Sequence, residues 1–225
     1  AALPPDPRVT YYEPLIMENA LVRVVFDEAD YSVRSYFDKR TGCDLLGGKG
    51  ARFILHKERT LKGGSAWVEG VHKTPCDLHK EAEVTLKEVN LNAPLRKSLR
   101  YEMKYGRSKL EVTAKLTDDS PVLEFSVRCD WMEVSTPDEV PVLSFAASLS
   151  YHAAAYRSDI QIGLLERRPE AMHDSCSRNF YYAPDAAGKK AGLLLLTDSK
   201  YGYRGYNDTL QVTLLRSSSN PDPYP

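Results

Sequence analysis

The sequence predicts an all-β protein, built as a large antiparallel β-sandwich. Three observations carry that expectation: apolar and polar residues alternate along many short stretches, turn-forming residues separate those stretches, and no amphipathic helix exceeds a few turns. The 225 residues, 42% of them hydrophobic, can bury a substantial core in one large β domain or two small ones.

The chain starts Ala-Ala-Leu-Pro-Pro-Asp-Pro, which has neither the basic region nor the apolar run of a signal peptide. Residues 1–16 are therefore expected to be a linker or a cut end. Strands are expected at 21–26, 31–37, 52–56 and 82–89, where alternation puts the apolar side chains on one face. Gly47-Gly48-Lys49-Gly50 lacks P-loop spacing and reads as a hairpin turn.

The clearest pattern comes next. Leu99, Tyr101, Met103 and Tyr105 alternate with polar residues, as do Leu110, Val112, Ala114 and Leu116, and then Leu123, Phe125, Val127 and Cys129. Gly106-Arg107-Ser108 and Thr117-Asp118-Asp119-Ser120-Pro121 separate these runs, which makes them an antiparallel meander of half-buried strands. Further strands are expected at 143–150, 160–165 and 210–215. Leu193-Leu194-Leu195-Leu196 is a continuous apolar run, suited to a strand covered on both faces or to a buried helical turn. Pro221, Pro223 and Pro225 cannot donate to a sheet ladder. Residues 217–225 are thus expected to be a linker or truncated end, which leaves 17–216 as the sandwich domain.

Thirty basic and 31 acidic residues leave a formal net charge of -1 and a pI near 6.6. That balance gives no electrostatic reason to expect nucleic acid or an anionic membrane as a partner. No run of about 18 apolar residues marks a membrane-spanning helix. Cys43, Cys76, Cys129 and Cys176 are scattered, without C-x-x-C spacing, in a chain large enough to fold without staples. They read as free thiols in a reducing compartment, so a cytoplasmic location is expected; two disulfides are the alternative for an exported protein.

Candidate chemistry is sparse. His56 and Glu58, and likewise His79 and Glu81, are two residues apart on a strand face and offer half of a zinc site each. Both pairs lie in heavily charged stretches, where a solvated face explains them without a metal. Cys76-Asp77-Leu78-His79 has no second ligand pair, and His173-Asp174-Ser175-Cys176 lacks the strand-turn-helix setting of an esterase nucleophile; loop composition accounts for both. Nothing singles out two carboxylates at glycosidase spacing. Tyr201, Tyr203 and Tyr206 cluster with Gly202 and Gly205 in a loop-like segment, where aromatic rings suit an interface or a sugar-lining surface.

Four ordered blocks carry a resemblance. They are Met17-Glu18-Asn19-Ala20-Leu21-Val22-Arg23-Val24 with Tyr36-Phe37-Asp38-Lys39-Arg40-Thr41-Gly42, the 123–131 stretch ending Asp130-Trp131, the 159–167 stretch ending Glu166-Arg167, and Lys200-Tyr201-Gly202-Tyr203. Together they resemble the C-terminal β-sandwich region of glycoside hydrolase family 38, the α-mannosidases. Ser199 stands where many members have cysteine, and Arg168 intervenes before Pro169. The resemblance implies a supersandwich of the galactose-mutarotase-like kind. It also implies a parent enzyme that cleaves α-mannosides in glycans with retention, through an aspartate nucleophile and a zinc ion that binds the sugar's hydroxyls.

Those groups lie in an N-terminal α/β domain and helical bundle, whose His-x-Asp zinc pattern is absent from this chain. The expectation is thus an accessory domain without catalytic residues, metal or cofactor of its own, the zinc belonging to the catalytic domain. Its partners would be that domain of the same polypeptide and a mannose-containing glycan, with room for a homo-oligomer. Lys200, Tyr201, Tyr203, Tyr206 and Arg167 are the substrate or domain-interface candidates, the tyrosines on a surface and not in the core. An independent carbohydrate-binding module is one alternative. A mutarotase-like epimerase using His79, His152 and Glu166 as acid and base is another.

Overall fold

The computed structural model describes residues 14–60, 64–72, 75–189 and 192–218. The expected terminal linkers fall outside these apart from residues 14–16 and 217–218; Leu15 is already 3% exposed, inside the core. In chain order the strands are β1 (Ile16–Glu18), β2 (Val22–Phe26), β3 (Val33–Asp38), β4 (Cys43–Asp44), β5 (Leu46–Arg59), β6 (Val71–His72), β7 (Cys76–Asp77), β8 (Glu83–Asn90), β9 (Arg96–Tyr105) and β10 (Ser108–Thr117). There follow β11 (Leu123–Asp130), β12 (Glu139–Leu149), β13 (Tyr156–Ile160), β14 (Gly163–Arg167), β15 (Ser175–Cys176), β16 (Phe180–Ala183), β17 (Leu193–Leu196), β18 (Gly202–Tyr206) and β19 (Thr209–Arg216). One short helix, α1 (Leu78–Glu81), is capped by Asp77, whose side chain accepts from the His79 N–H.

Three antiparallel sheets form among the described residues. The largest runs β1-β2-β3-β5-β12-β19-β18-β15, with β4 on β3 and with β6 and β7 on β5; the others run β11-β10-β9-β8 and β14-β13-β16-β17. Register decides what each face of the large sheet carries. Phe53, Phe145, Val212 and Tyr203 are successive cross-strand partners and so share one face. The adjacent row, Arg52, Ala146, Gln211 and Arg204, points the other way. Both smaller sheets cover the apolar face. The meander reaches it through Phe125, whose ring lies 5.0 Å from that of Phe145, and the third sheet through Tyr181, 5.6 Å from Tyr203.

The meander follows its alternation closely: Leu99, Tyr101, Met103, Leu110, Val112, Ala114 and Leu116 are all at most 1% exposed. Asn19 ties it to the first hairpin. Its Oδ1 accepts from the Leu21 and Val22 N–H groups, and its Nδ2 donates to Thr117 O and Ser120 O at 2.8 and 2.7 Å. Between the two smaller sheets a groove of about 910 Å³ opens onto the large sheet, lined by Phe53, Phe125, Phe145, Leu195, Val212 and Lys200.

Three local expectations are corrected. The 160–165 stretch is a turn flanked by two strands: Ile160 pairs with Gly163, and Ile162 at the tip is 96% exposed. Apolar alternation ran on through the turn and concealed it. Gly47–Gly50 is no hairpin but the irregular start of β5, with Gly48 and Gly50 at positive φ. A β-carbon on Gly50 would meet Val33 O at 1.9 Å, so glycine permits the close approach of β3. The four leucines of β17 are covered on one face only, for Leu194 and Leu196 are 40% and 55% exposed. β17 ends the third sheet, where nothing among the described residues covers its outer side.

Candidate functional site

β18 places chemistry on both faces of the large sheet. Its period of two sends Tyr203 and Gly205 toward the core and Gly202 and Arg204 to the opposite side. On the core side three rings form a ladder: Tyr156 stacks on Tyr181 and Tyr181 on Tyr203, each at 5.6 Å with interplanar angles of 13° and 18°. A β-carbon on Gly205 would meet the Tyr156 ring at 2.4 Å, so the glycine leaves room for the ladder. The Tyr203 hydroxyl donates to Asn179 O at 3.1 Å and lies 2.6 Å from Thr197 Oγ1. Burial pushes the Tyr203 and Tyr181 hydroxyls above their ordinary pKa, so both stay protonated.

The opposite side carries a buried polar layer. β5 contributes His56 and Glu58, which are 4% and 0% exposed; β18 and β19 contribute Arg204 and Gln211 at 5% and 6%. The segments 64–72 and 168–175 close over them through hydrogen bonds. Gly70 N–H donates to Glu58 Oε1 at 2.6 Å, Arg204 Nη1 to Ala171 O at 3.3 Å, and Thr213 Oγ1 to Asp174 Oδ2 at 2.5 Å. Arg216 grips Glu58 with a two-pronged fork, Nε to Oε2 and Nη2 to Oε1, both at 2.6 Å. His56 Nε2 lies 3.2 Å from Gln211 Oε1 and 3.3 Å from Arg204 Nη2. The solvated-face expectation for His56 and Glu58 is therefore overturned, because two loops bury what a strand pattern would leave in water.

Beside this pair lie Glu69, His72 and Asp174. The Asp174 N–H donates to both Glu69 oxygens at 3.1 and 3.0 Å, and His72 Nε2 lies 2.8 Å from Glu69 Oε1. Arg204 Nε is 3.8 Å from Asp174 Oδ1. Gly202 is needed here, since a β-carbon on it would meet Asp174 Oδ2 at 2.6 Å. The two carboxyls are driven apart. Burial raises the pKa of Asp174 against the opposing pull of Thr213 and Arg204. Burial also works to raise that of Glu69, but the His72 contact and the Asp174 N–H outweigh it and lower the pKa. This group offers one imidazole and two carboxylates, the donor set that could hold a metal ion among the described residues. None of the three lines the groove between the smaller sheets.

The residues singled out from the sequence do not converge. Lys200 lines the groove, and Tyr201 and Tyr206 are 61% and 45% exposed on the surface. Tyr203 is 0% exposed and belongs to the core, contrary to expectation, because strand alternation inside β18 turns it inward. Arg167 is half-buried and bound to the fold itself, Nε donating to Ser158 Oγ at 3.2 Å and Nη2 to Cys176 O at 3.1 Å. His79 is buried against Phe53 and Tyr101 with Nδ1 2.7 Å from Asp30 O, His152 pairs with Asp208, and Glu166 faces Arg157. Each has its own separate partner, so the structure forms no acid-base pair among them. The four cysteines are free thiols.

Glu69, His72, Arg204 and Arg216 escaped the sequence reading. Arg204 had a usable signal, since it sits one residue from Tyr203 and must face the other way if that tyrosine is core. Glu69 and His72 contact each other only three residues apart, but Asp174, which they meet, and Glu58, which Arg216 grips, come from distant segments.

The fold of this chain recurs in solved structures. An alpha-mannosidase from Enterococcus faecalis V583 superposes with a TM-score of 0.72 at 14% identity, over 94% of this chain and 27% of that one. A protein in the glycosyl hydrolase family 38 from Enterococcus faecalis does so with a TM-score of 0.71 at 15% identity, over 93% and 27%. Residues 17–224 match the family described as the glycosyl hydrolases family 38 C-terminal domain, and the chain belongs to that family. It spans about a quarter of the length of the solved structures it resembles. The comparison with curated proteins finds no match.

Proposed function

We propose that this chain is the accessory β-sandwich of a retaining, zinc-dependent α-mannosidase acting on glycans. The catalytic domain would precede it in the same polypeptide and would supply the nucleophile and the zinc. The observation that carries this reading is the family match across 17–224 combined with coverage of only 27% of each solved neighbour. The candidate residues support it further: those with acid, base or ligand chemistry, Arg167, His79, His152 and Glu166, are each tied to a partner within the fold. The outer side of the third sheet is the surface offered to the missing domain. It exposes Leu164, Leu194 and Leu196 at 66%, 40% and 55%, an apolar face that isolated domains rarely leave in water.

An assay on an aryl α-mannoside with added zinc tests the proposal. The 225-residue chain should give no turnover, and a polypeptide extended to include the preceding domain should. Zinc-dependent hydrolysis by the chain alone would overturn it. Saturable binding of mannose oligosaccharide to the isolated chain would instead favour a carbohydrate-binding module, for which exposed Tyr201 and Tyr206 are the supporting observation.

A further inference from the structure

We propose that Glu69, His72 and Asp174 form a site for one divalent transition-metal ion, held in the polar layer of the sandwich and separate from any sugar-cleaving chemistry. The ion would pin the segments 64–72 and 168–175 to the large sheet.

Geometry is the first support. One donor atom from each of the three residues lies within 4.8 Å of the others. Zinc bonds of about 2.0–2.2 Å place tetrahedral ligand atoms roughly 3.3 Å apart. The 2.8 Å between His72 Nε2 and Glu69 Oε1 therefore needs only a small outward shift. Unmet bonding capacity is the second support, and it is independent of the first. The His72 side chain is 3% exposed, yet neither ring nitrogen makes a hydrogen bond among the described residues, the Glu69 contact being close but misaligned. Asp174 Oδ1 has none either. Buried polar atoms are seldom left this way, because each such loss costs the full desolvation of the group.

Charge points in the same direction. Arg216 is taken up by Glu58 through its two-pronged fork, whereas the Arg204 guanidinium reaches Asp174 only at 3.8 Å, Nε to Oδ1. A cation beside Glu69 and Asp174 would thus meet two carboxyls that no such fork holds among the described residues. Arg204 is tethered through Nη1 and Nη2 to Ala171 O and His56. Outer contacts of the kind that orient metal ligands are already in place: the Asp174 N–H on Glu69 and the Thr213 hydroxyl on Asp174 Oδ2. An imidazole with two carboxylates selects zinc, manganese or iron over calcium and magnesium, which take oxygen donors alone.

The test uses the whole 225-residue chain, stripped with a chelator and dialysed against zinc, with bound metal counted per chain. One zinc per chain is expected. His72→Gln and Asp174→Asn should each weaken retention at least tenfold, while His152→Gln, at an exposed histidine outside the cluster, should leave it unchanged. No retained zinc, or retention indifferent to His72→Gln, overturns the proposal. Should the buried variants fail to fold, the unaltered chain still decides. Paramagnetic cobalt must then broaden the ring resonances of His72 and of His56, 5.1 Å away, and spare His152; broadening confined to His152 sinks the site. Because the readout is binding, the result stands apart from whether the chain cleaves mannosides.

Discussion

Asp159 shows how much one side chain holds in this fold. It is 8% exposed, and its carboxylate accepts from the N–H groups of Arg178, Asn179 and Phe180, from the Asn179 amide and from the Ser177 hydroxyl. Burial works to raise its pKa, but the Phe180 and Asn179 N–H groups and the two side-chain donors outweigh it and hold it well below the usual carboxylate range. A folded pKa below the unfolded one stabilises the protein fully above the unfolded value, and that contribution is lost as pH falls through the folded value. Asp159→Asn should therefore cost about 2 kcal/mol near neutral pH. The gap between variant and parent should stay constant down to about pH 5 and narrow below about pH 4. Urea unfolding across that range checks it, and a gap that widens in acid would contradict the assignment. No run of residues around Asp159 signals this role, because its donors arrive from the turn before β16.

Among the elements, β18 is where sequence pattern and structure diverged most usefully. Tyr203 was legible as an aromatic in a glycine-rich segment, yet two glycines in five residues suggested a loop, and a loop suggested exposure. The glycines serve packing instead. Gly205 clears the Tyr156 ring and Gly202 clears Asp174, so the segment is a strand with two deliberate gaps. Tyr181 occupies the middle of the ladder at 1% exposure and stacks on both neighbours. Tyr181→Ala should lower unfolding free energy by about 4 kcal/mol through the lost ring and the cavity. Tyr203→Phe, which keeps the stack and drops the hydroxyl bonds to Asn179 and Thr197, should cost about 1 kcal/mol. Equal losses from the two would mean that hydrogen bonding, and not stacking, holds the third sheet to the large one.

For the molecule as a whole, the three-sheet arrangement leaves two surfaces of different character. The polar layer is closed by its own loops, whereas the outer face of the third sheet shows leucines to solvent. Leu164→Ser together with Leu196→Ser should leave the stability of the isolated chain within about 0.5 kcal/mol. The same pair should weaken association of the chain with a separately produced catalytic domain, read by titration. Unchanged association would remove this face as the docking surface. The isolated chain should also self-associate less with the two serines present, since it buries nothing in exchange for that apolar area.

Periodicity was enough to establish an antiparallel all-β chain and to locate the meander almost to the residue. Each strand's in-and-out alternation is a local property, written into neighbours two apart. Local pattern also exposed the family, because Asn19, Asp38, Trp131 and the 200–203 block recur in order along the chain. It had no access to which strands would be covered twice. His56 and Glu58 read as solvated because nothing nearby in sequence reveals that Gly70, Ala171 and Arg216 close over them. Glu69 and His72 meet Asp174 only when the segment leading into β6 and the loop before β15 are brought across the large sheet. Burial and electrostatic environment come from contacts between remote segments, so tertiary structure alone could turn charged surface stretches into a buried polar layer with unfilled bonding capacity.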